Sequence, residues 1–167
     1  MANSASLPKP LSARVFEEID HWLGKFPGER KRSAVLAALR AAQHENGGYL
    51  TVEIMDAVAD YLELPRIQVY EVGSFYSMLE LEPVGRHSIS VCTNISCMLC
   101  GSEDIVRHLE RKLGIKVGQS TADGRIFLKP EEECLAACCG APMMMVDHEY
   151  HEHLTVERVD EIVDGLE

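Results

Sequence analysis

The first 91 of the chain's 167 residues contain no cysteine, aromatics make up only 6% of the composition, and bases are outnumbered, with 16 Lys and Arg against 27 Asp and Glu. No apolar run approaches the roughly 20 residues that span a bilayer, so direct membrane insertion is not expected. The shortage of bases argues against nucleic acid as a partner, since a phosphate backbone repels an acidic surface. The first 14 residues, MANSASLPKPLSAR, lack an apolar core and do not read as a secretory signal. With so little arginine they read as a frayed tail rather than a transit peptide. A cytosolic or similarly reducing compartment is expected, and structural disulfides are rare there. The adjacent Cys138 and Cys139 argue the same way, because neighbouring thiols do not easily bridge.

What is present divides near residue 84. The net charge of −11 is uneven: residues 1–86 carry 12 acids and 9 bases, residues 87–167 carry 15 and 7. Before the divide the pattern is helical. Val15, Ile19, Trp22, Leu23 and Phe26 recur at helical spacing until Pro27-Gly28. RKRSAVLAALRAAQ is rich in helix formers and stops at Asn46-Gly47-Gly48. Thr51 is placed to cap a third helix, with Ile54, Val58, Tyr61 and Leu62 on one face. Pro65 opens a fourth. Phe75, Tyr76 and Met78 read as core or as a domain interface.

After the divide, HSISVC alternates as a strand, and Gly101 to Asp104 introduce a helix carrying Ile105, Leu109 and Leu113. ADGRIFLKP reads as a turn and a strand. MMMV and HEYHEHL read as a hairpin about Asp147-His148, and Thr155 caps a last helix. The expectation is an α+β protein: a tail over 1–11, a four-helix domain over 12–83, and a thioredoxin-like domain with a mixed sheet over 84–167.

All six cysteines lie in two segments of that second part, VCTNISCMLCG and CLAACCG. Cys92 and Cys97 form C-x4-C after one strand; Cys134 and Cys138 form C-x3-C after another. Four thiolates meeting at strand ends suit either zinc or a [2Fe–2S] cluster. Zinc knuckles favour C-x2-C, present once as Cys97 and Cys100. Cys92, Cys97, Cys100 and Cys134 also match a plant-type ferredoxin spacing, but that leaves Cys138 and Cys139 idle. A thiol oxidoreductase using Cys97 and Cys100 would leave three cysteines unexplained. Cys100, at a helix edge, reads as a small buried apolar group.

SAVLAALRAAQ, LPRIQVYEVGSFY, PVGRHSISVC and CLAACCGAP together resemble, in order and spacing, the small [2Fe–2S] subunit of the NADH dehydrogenase module of respiratory complex I. The resemblance covers residues from about Phe26 onward. It implies a four-helix domain followed by a thioredoxin-like one, with Cys92, Cys97, Cys134 and Cys138 as ligands of one [2Fe–2S] cluster, two to each iron. Cys100 and Cys139 are implied bystanders. It further implies an electron-transfer subunit of an NADH:quinone oxidoreductase, not catalytic alone. The cluster would exchange one electron with the FMN of a partner flavoprotein subunit that contains FMN and [4Fe–4S] clusters and oxidises NADH. The implied location is cytoplasmic, peripheral on the inner face of the membrane. Related subunits serve NAD-dependent formate dehydrogenases and hydrogenases, so the parent complex stays open, as does a zinc-stabilised interaction module. The chain departs from the family pattern at Ala136, where glycine is usual.

Further expectations concern the surroundings. Glu131 to Glu133 adjoin the second cysteine pair and would disfavour reduction, unless solvent screens them. Backbone N–H groups near Gly101 and Gly140 would favour it. His148, His151 and His153 read as a solvated hairpin. Pro142 reads as a trans proline starting a strand, a cis bond being the alternative. Met143 to Met145 read as core, with part of the run available to cover a cluster.

Overall fold

A computed structural model describes residues 11–130 and 134–167. Contacts divide the chain between Pro83 and Val84 into two units.

In the first unit, Ser12 caps helix α1 (Ala13–Leu23), with its hydroxyl accepting from the Val15 N–H. A 3-10 turn (Lys31–Ala34) leads into α2 (Val35–Glu45). That helix stops at Gly47 and Gly48, both with positive φ, where the Gly48 N–H donates back to Gln43 O at 2.9 Å. Thr51 caps α3 (Val52–Leu62), and Pro65 immediately precedes α4 (Arg66–Phe75). Val15, Ile19, Leu39, Val58, Leu62 and Val69 are among the buried side chains between the helices, and Leu11 joins them. Tyr61 sits at the rim, its hydroxyl donating to Asp20 at 2.7 Å.

Phe75, Tyr76 and Met78 are not part of this unit's core. All three are exposed, Phe75 at 78%. Val69 and Gly73, one turn apart, form the buried face of α4, which turns Phe75 to the opposite side. Phe75 and Tyr76 pack edge-on against each other instead, with centroids 5.1 Å apart.

The second unit is a five-stranded mixed sheet in the order β2-β3-β1-β4-β5. Strand β1 (His87–Val91) runs parallel to β3 (Ile126–Lys129) and antiparallel to β4 (Met144–Val146). The edges are β2 (Gln119–Ser120) and β5 (Glu149–His151). The parallel pair requires a crossover, supplied by α5 (Ile95–Leu99) and α6 (Ser102–Leu113). Ile89 and Val91, Ile126 and Leu128, and Met144 and Val146 are alternating pairs facing one core. Ile105 and Leu109 of α6 and Val159 and Val163 of α7 (Val156–Asp164) complete it. Outside this core, Asp160 takes His108 at 2.7 Å and Lys112 at 3.1 Å, tying α7 to α6.

The hairpin falls at Asp147 and His148, both with positive φ, as a type I′ turn needs. Two elements escape the sequence reading, β2 and α5. Close approach fixes Gly85: a Cβ there would meet the Ile126 carbonyl carbon at 2.4 Å.

Candidate metal centre

Strand β1 ends one residue before Cys92, whose N–H donates to Met143 O at 3.1 Å. The chain then turns through Asn94, whose side chain accepts from the Ile95 N–H and starts α5. This short helix carries Cys97 inward; Cys92 and Cys97 are each 1% exposed. Met143, fully buried, packs on both, with Leu135, Ala137 and Ala141 around them.

The second loop is more open. Cys134 and Cys138 are exposed, and their sulfurs stand 3.5 Å apart. Two thiolates bound at about 2.3 Å to one tetrahedral ion stand about 3.8 Å apart, so this pair is already near the spacing one metal imposes. The loop folds back at Ala136, which has φ +63°. Its N–H donates to the Cys134 sulfur at 3.4 Å. The left-handed turn that a glycine would supply is therefore retained with alanine, at a local cost of roughly 1–2 kcal/mol. Downstream, a 3-10 turn (Cys138–Gly140) holds the loop, and Gly140 has no room for a side chain: a Cβ would meet the Glu152 Cβ at 2.5 Å. The Ala141–Pro142 bond is cis, not the trans bond expected. Pro142 O accepts from the Leu154 N–H rather than starting the strand.

Cys92, Cys97, Cys134 and Cys138 line one cavity of about 50 Å³, together with Asn94, Ile95 and Ser96. A space of that size takes a small inorganic core; organic cofactors need roughly 300 Å³ or more. Cys100 and Cys139 do not line it. Cys100 is exposed, not the buried apolar group expected, because as C-cap of α5 it stands at the surface end of that helix. A plant-type set that includes Cys100 is thus not gathered. Among the described residues, no three Cys, His, Asp or Glu side chains surround a single ion.

Burial pushes the Cys97 thiol up to about 11, against the Met143 backbone hydrogen bond, which lowers it, while hydrogen bonding with Cys92 adds to the rise. An attacking thiol must be reachable, and Cys97 is buried while Cys100 stands at the surface, which weighs against a Cys97–Cys100 oxidoreductase. The expected donors also change. The Gly101 and Gly140 N–H groups are committed to Met98 O and Ala137 O, whereas Ala136 and Met143 supply the hydrogen bonds to sulfur. Nothing in the residue types marks Ala136 and Met143 as donors; a loop turned back on its own cysteine does. Glu131 to Glu133 lie outside the described residues. His148 and His153 are exposed and His151 is half-buried on the hairpin and the turn after it.

Residues 19–167 match the model of the thioredoxin-like [2Fe-2S] ferredoxin family. The chain belongs to that family. Among relatives of this ferredoxin-like chain, an NADH-quinone oxidoreductase subunit of Rickettsia felis is 45% identical over 140 residues, 84% of this chain and 83% of the relative. The NADH-quinone oxidoreductase subunit of the same kind from Rhizobium meliloti is 42% identical over 150 residues, 90% and 87% of the two chains. A crystal structure of NAD+-reducing [NiFe]-hydrogenase in the air-oxidized state superposes with a TM-score of 0.66 at 24% identity. It matches 78% of this chain, which spans 22% of that longer one, and the likeness is one of fold.

Proposed function

We propose that this chain is the electron-transfer subunit of an NADH:quinone oxidoreductase, with one [2Fe–2S] cluster held by Cys92, Cys97, Cys134 and Cys138. The observation that carries the reading is the small cavity lined by those four cysteines and no other. The cysteines support a division into pairs: Cys134 lies beside Cys138, and Cys92 packs with Cys97 in the buried cluster around Met143. Two thiolates to each iron is the arrangement a [2Fe–2S] core takes, whereas one zinc ion requires all four around a point. The relatives' shared name, with coverage above four fifths of both chains, supports complex I over a formate dehydrogenase or hydrogenase.

When bound, such a cluster supplies one-electron redox chemistry. The chain's own residues set its surroundings. Cys92 and Cys97 enter from the buried side beneath Met143, which keeps water from that edge. The Ala136 and Met143 hydrogen bonds stabilise negative charge on sulfur and so raise the potential. Cys134 and Cys138 stand on the open side, where an electron has the shortest way out. Helix α5 lines the same cavity through Ile95 and exposes Ile95, Met98 and Leu99 by 68, 44 and 77%, an apolar surface suited to a protein partner. That partner is an NADH-oxidising flavoprotein carrying FMN and [4Fe–4S] clusters. FMN on that partner would supply the hydride-accepting chemistry, and the four cysteines of this chain would hold the cluster that exchanges single electrons with it. No helix among the described residues is long and apolar enough to cross a membrane; the chain is held at the inner face of the membrane through the complex.

The test is purification of the tagged full chain from gently solubilised membranes, followed by acid release and fluorimetry of bound flavin. FMN in near-stoichiometric amount, with NADH-dependent quinone reduction, is expected. A chain that purifies alone, or with proteins free of flavin, contradicts the assignment.

A further inference from the structure

The geometry points to a redox gate on cluster loading: in the cluster-free chain, Cys134 and Cys138 close to a disulfide that removes both ligands of one iron until a thiol reductant reopens it. The loading part of this inference rests on the cluster reading above; the disulfide itself does not. Among the six thiols, two properties coincide only at this pair. Both residues are exposed to solvent, and their sulfurs already face each other at 3.5 Å. A bond of about 2.05 Å then needs a closure of about 1.5 Å, within reach of side-chain rotation. The turn at Ala136 and its hydrogen bond to the Cys134 sulfur hold the loop in the facing arrangement. The other pairings are handicapped. Cys92 and Cys97 are buried beneath Met143, and adjacent Cys138 and Cys139 would strain a ring across one peptide bond.

The step balances as thiol–disulfide exchange with a small disulfide such as oxidised glutathione. The Cys134 sulfur, having lost its proton, attacks one glutathione sulfur and expels the other glutathione as a thiolate, which takes up a proton. Cys138 then attacks the Cys134 sulfur of this mixed disulfide, expelling the second glutathione. Two protein thiols are oxidised and one glutathione disulfide becomes two thiols. A dithiol reductant reverses the sequence. Such a bond is exposed, spans a short loop and constrains little of the unfolded chain, so it is labile rather than structural.

The experiment takes the full chain stripped of iron, treated with oxidised glutathione and then freed of it. Thiols are alkylated in denaturant, and the bridge is mapped by peptide mass. Ferrous iron and sulfide are then added with and without dithiothreitol, and the rise in visible absorbance is followed. The expected result is a Cys134–Cys138 bridge, also formed in Cys100→Ser and Cys139→Ser, and loading slowed at least tenfold until dithiothreitol is present. A bridge at any other pair, no bridge, or equal loading by the bridged chain overturns the gate. A reduced chain that takes up no iron and sulfide overturns the cluster reading and with it the gating role, while the peptide map still decides the disulfide.

Discussion

Ala136→Gly is expected to stabilise the second unit. Alanine at φ +63° is held in the left-handed region by the loop around it. Releasing that strain gains roughly 1–2 kcal/mol. Glycine gives back about 0.4–1 kcal/mol through the greater freedom of the unfolded chain. At the middle of both ranges the net gain is about 0.8 kcal/mol. In a domain of this size, 1 kcal/mol shifts the thermal midpoint by about 4–8 °C, so a rise of about 3–6 °C follows. The assay is thermal unfolding of the cluster-free chain, reduced throughout. Far-UV circular dichroism follows both units, and fluorescence of Trp22, the single tryptophan, follows the first. The circular dichroism midpoint of the second unit should rise while the Trp22 midpoint stays. Ala136→Val, with a β-branched side chain at the same φ, should lower the former by a similar amount. If Ala136→Gly leaves it unchanged or lowers it, residue 136 does not hold the left-handed turn, and the hydrogen bond it directs at Cys134 loses its basis.

Gly140→Ala should destabilise the second unit by about 1–3 kcal/mol, because the contact is with the Cβ of Glu152 and not only the tip of its side chain. A double-mutant cycle with Glu152→Gly, read by urea unfolding, should recover part of the loss. His87 hydrogen-bonds Asp147 at 2.5 Å and the carbonyl of Glu167 at 2.9 Å, which raises its pKa above 6.5, the Asp147 hydrogen bond contributing most. The protonated form is thus the one the fold favours. Its stabilisation is full below pH 6.5 and is lost as pH rises through the raised value. His87→Gln should remove that fall, measured as the difference in unfolding free energy between pH 5.5 and 8.5. The buried Ser102 hydroxyl has no hydrogen-bond partner among the described residues. Ser102→Ala should therefore be neutral or stabilising by up to about 1 kcal/mol in the same urea assay; a clear loss would mean that the hydroxyl has a partner.

Local signals carried most of the fold. Thr51 and Thr155 cap their helices because a hydroxyl followed by helical apolar spacing is a statement complete within one turn of chain. HSISV is legible as a strand because Ile89 and Val91 alternate with serines. Signals that depend on distant chain were lost. Gln119 and Ser120 are two polar residues that become β2 only by pairing with Leu128 and Phe127. Helix α5, five residues long, is too short to show a period. At the candidate site, spacing alone left a set with Cys100 open; the family resemblance implied Cys92, Cys97, Cys134 and Cys138, and the fold gathers those four in one cavity. The N–H groups that touch sulfur were not legible. Every residue except proline carries one, and only the course of the loop decides where it points.

The central claim is one [2Fe–2S] cluster on Cys92, Cys97, Cys134 and Cys138. The most direct measurement is iron, inorganic sulfide and visible absorbance of the full chain purified without oxygen, before and after dithionite, in wild type and in each single Cys→Ser variant. About two irons and two sulfides per chain are expected, with a red-brown colour that bleaches on reduction. Cys100→Ser and Cys139→Ser should keep both, and changes at the other four positions should lose or alter them. A colourless chain with stoichiometric zinc, after expression with iron and cluster-assembly support, would contradict the claim, as would a cluster lost on changing Cys100 or Cys139.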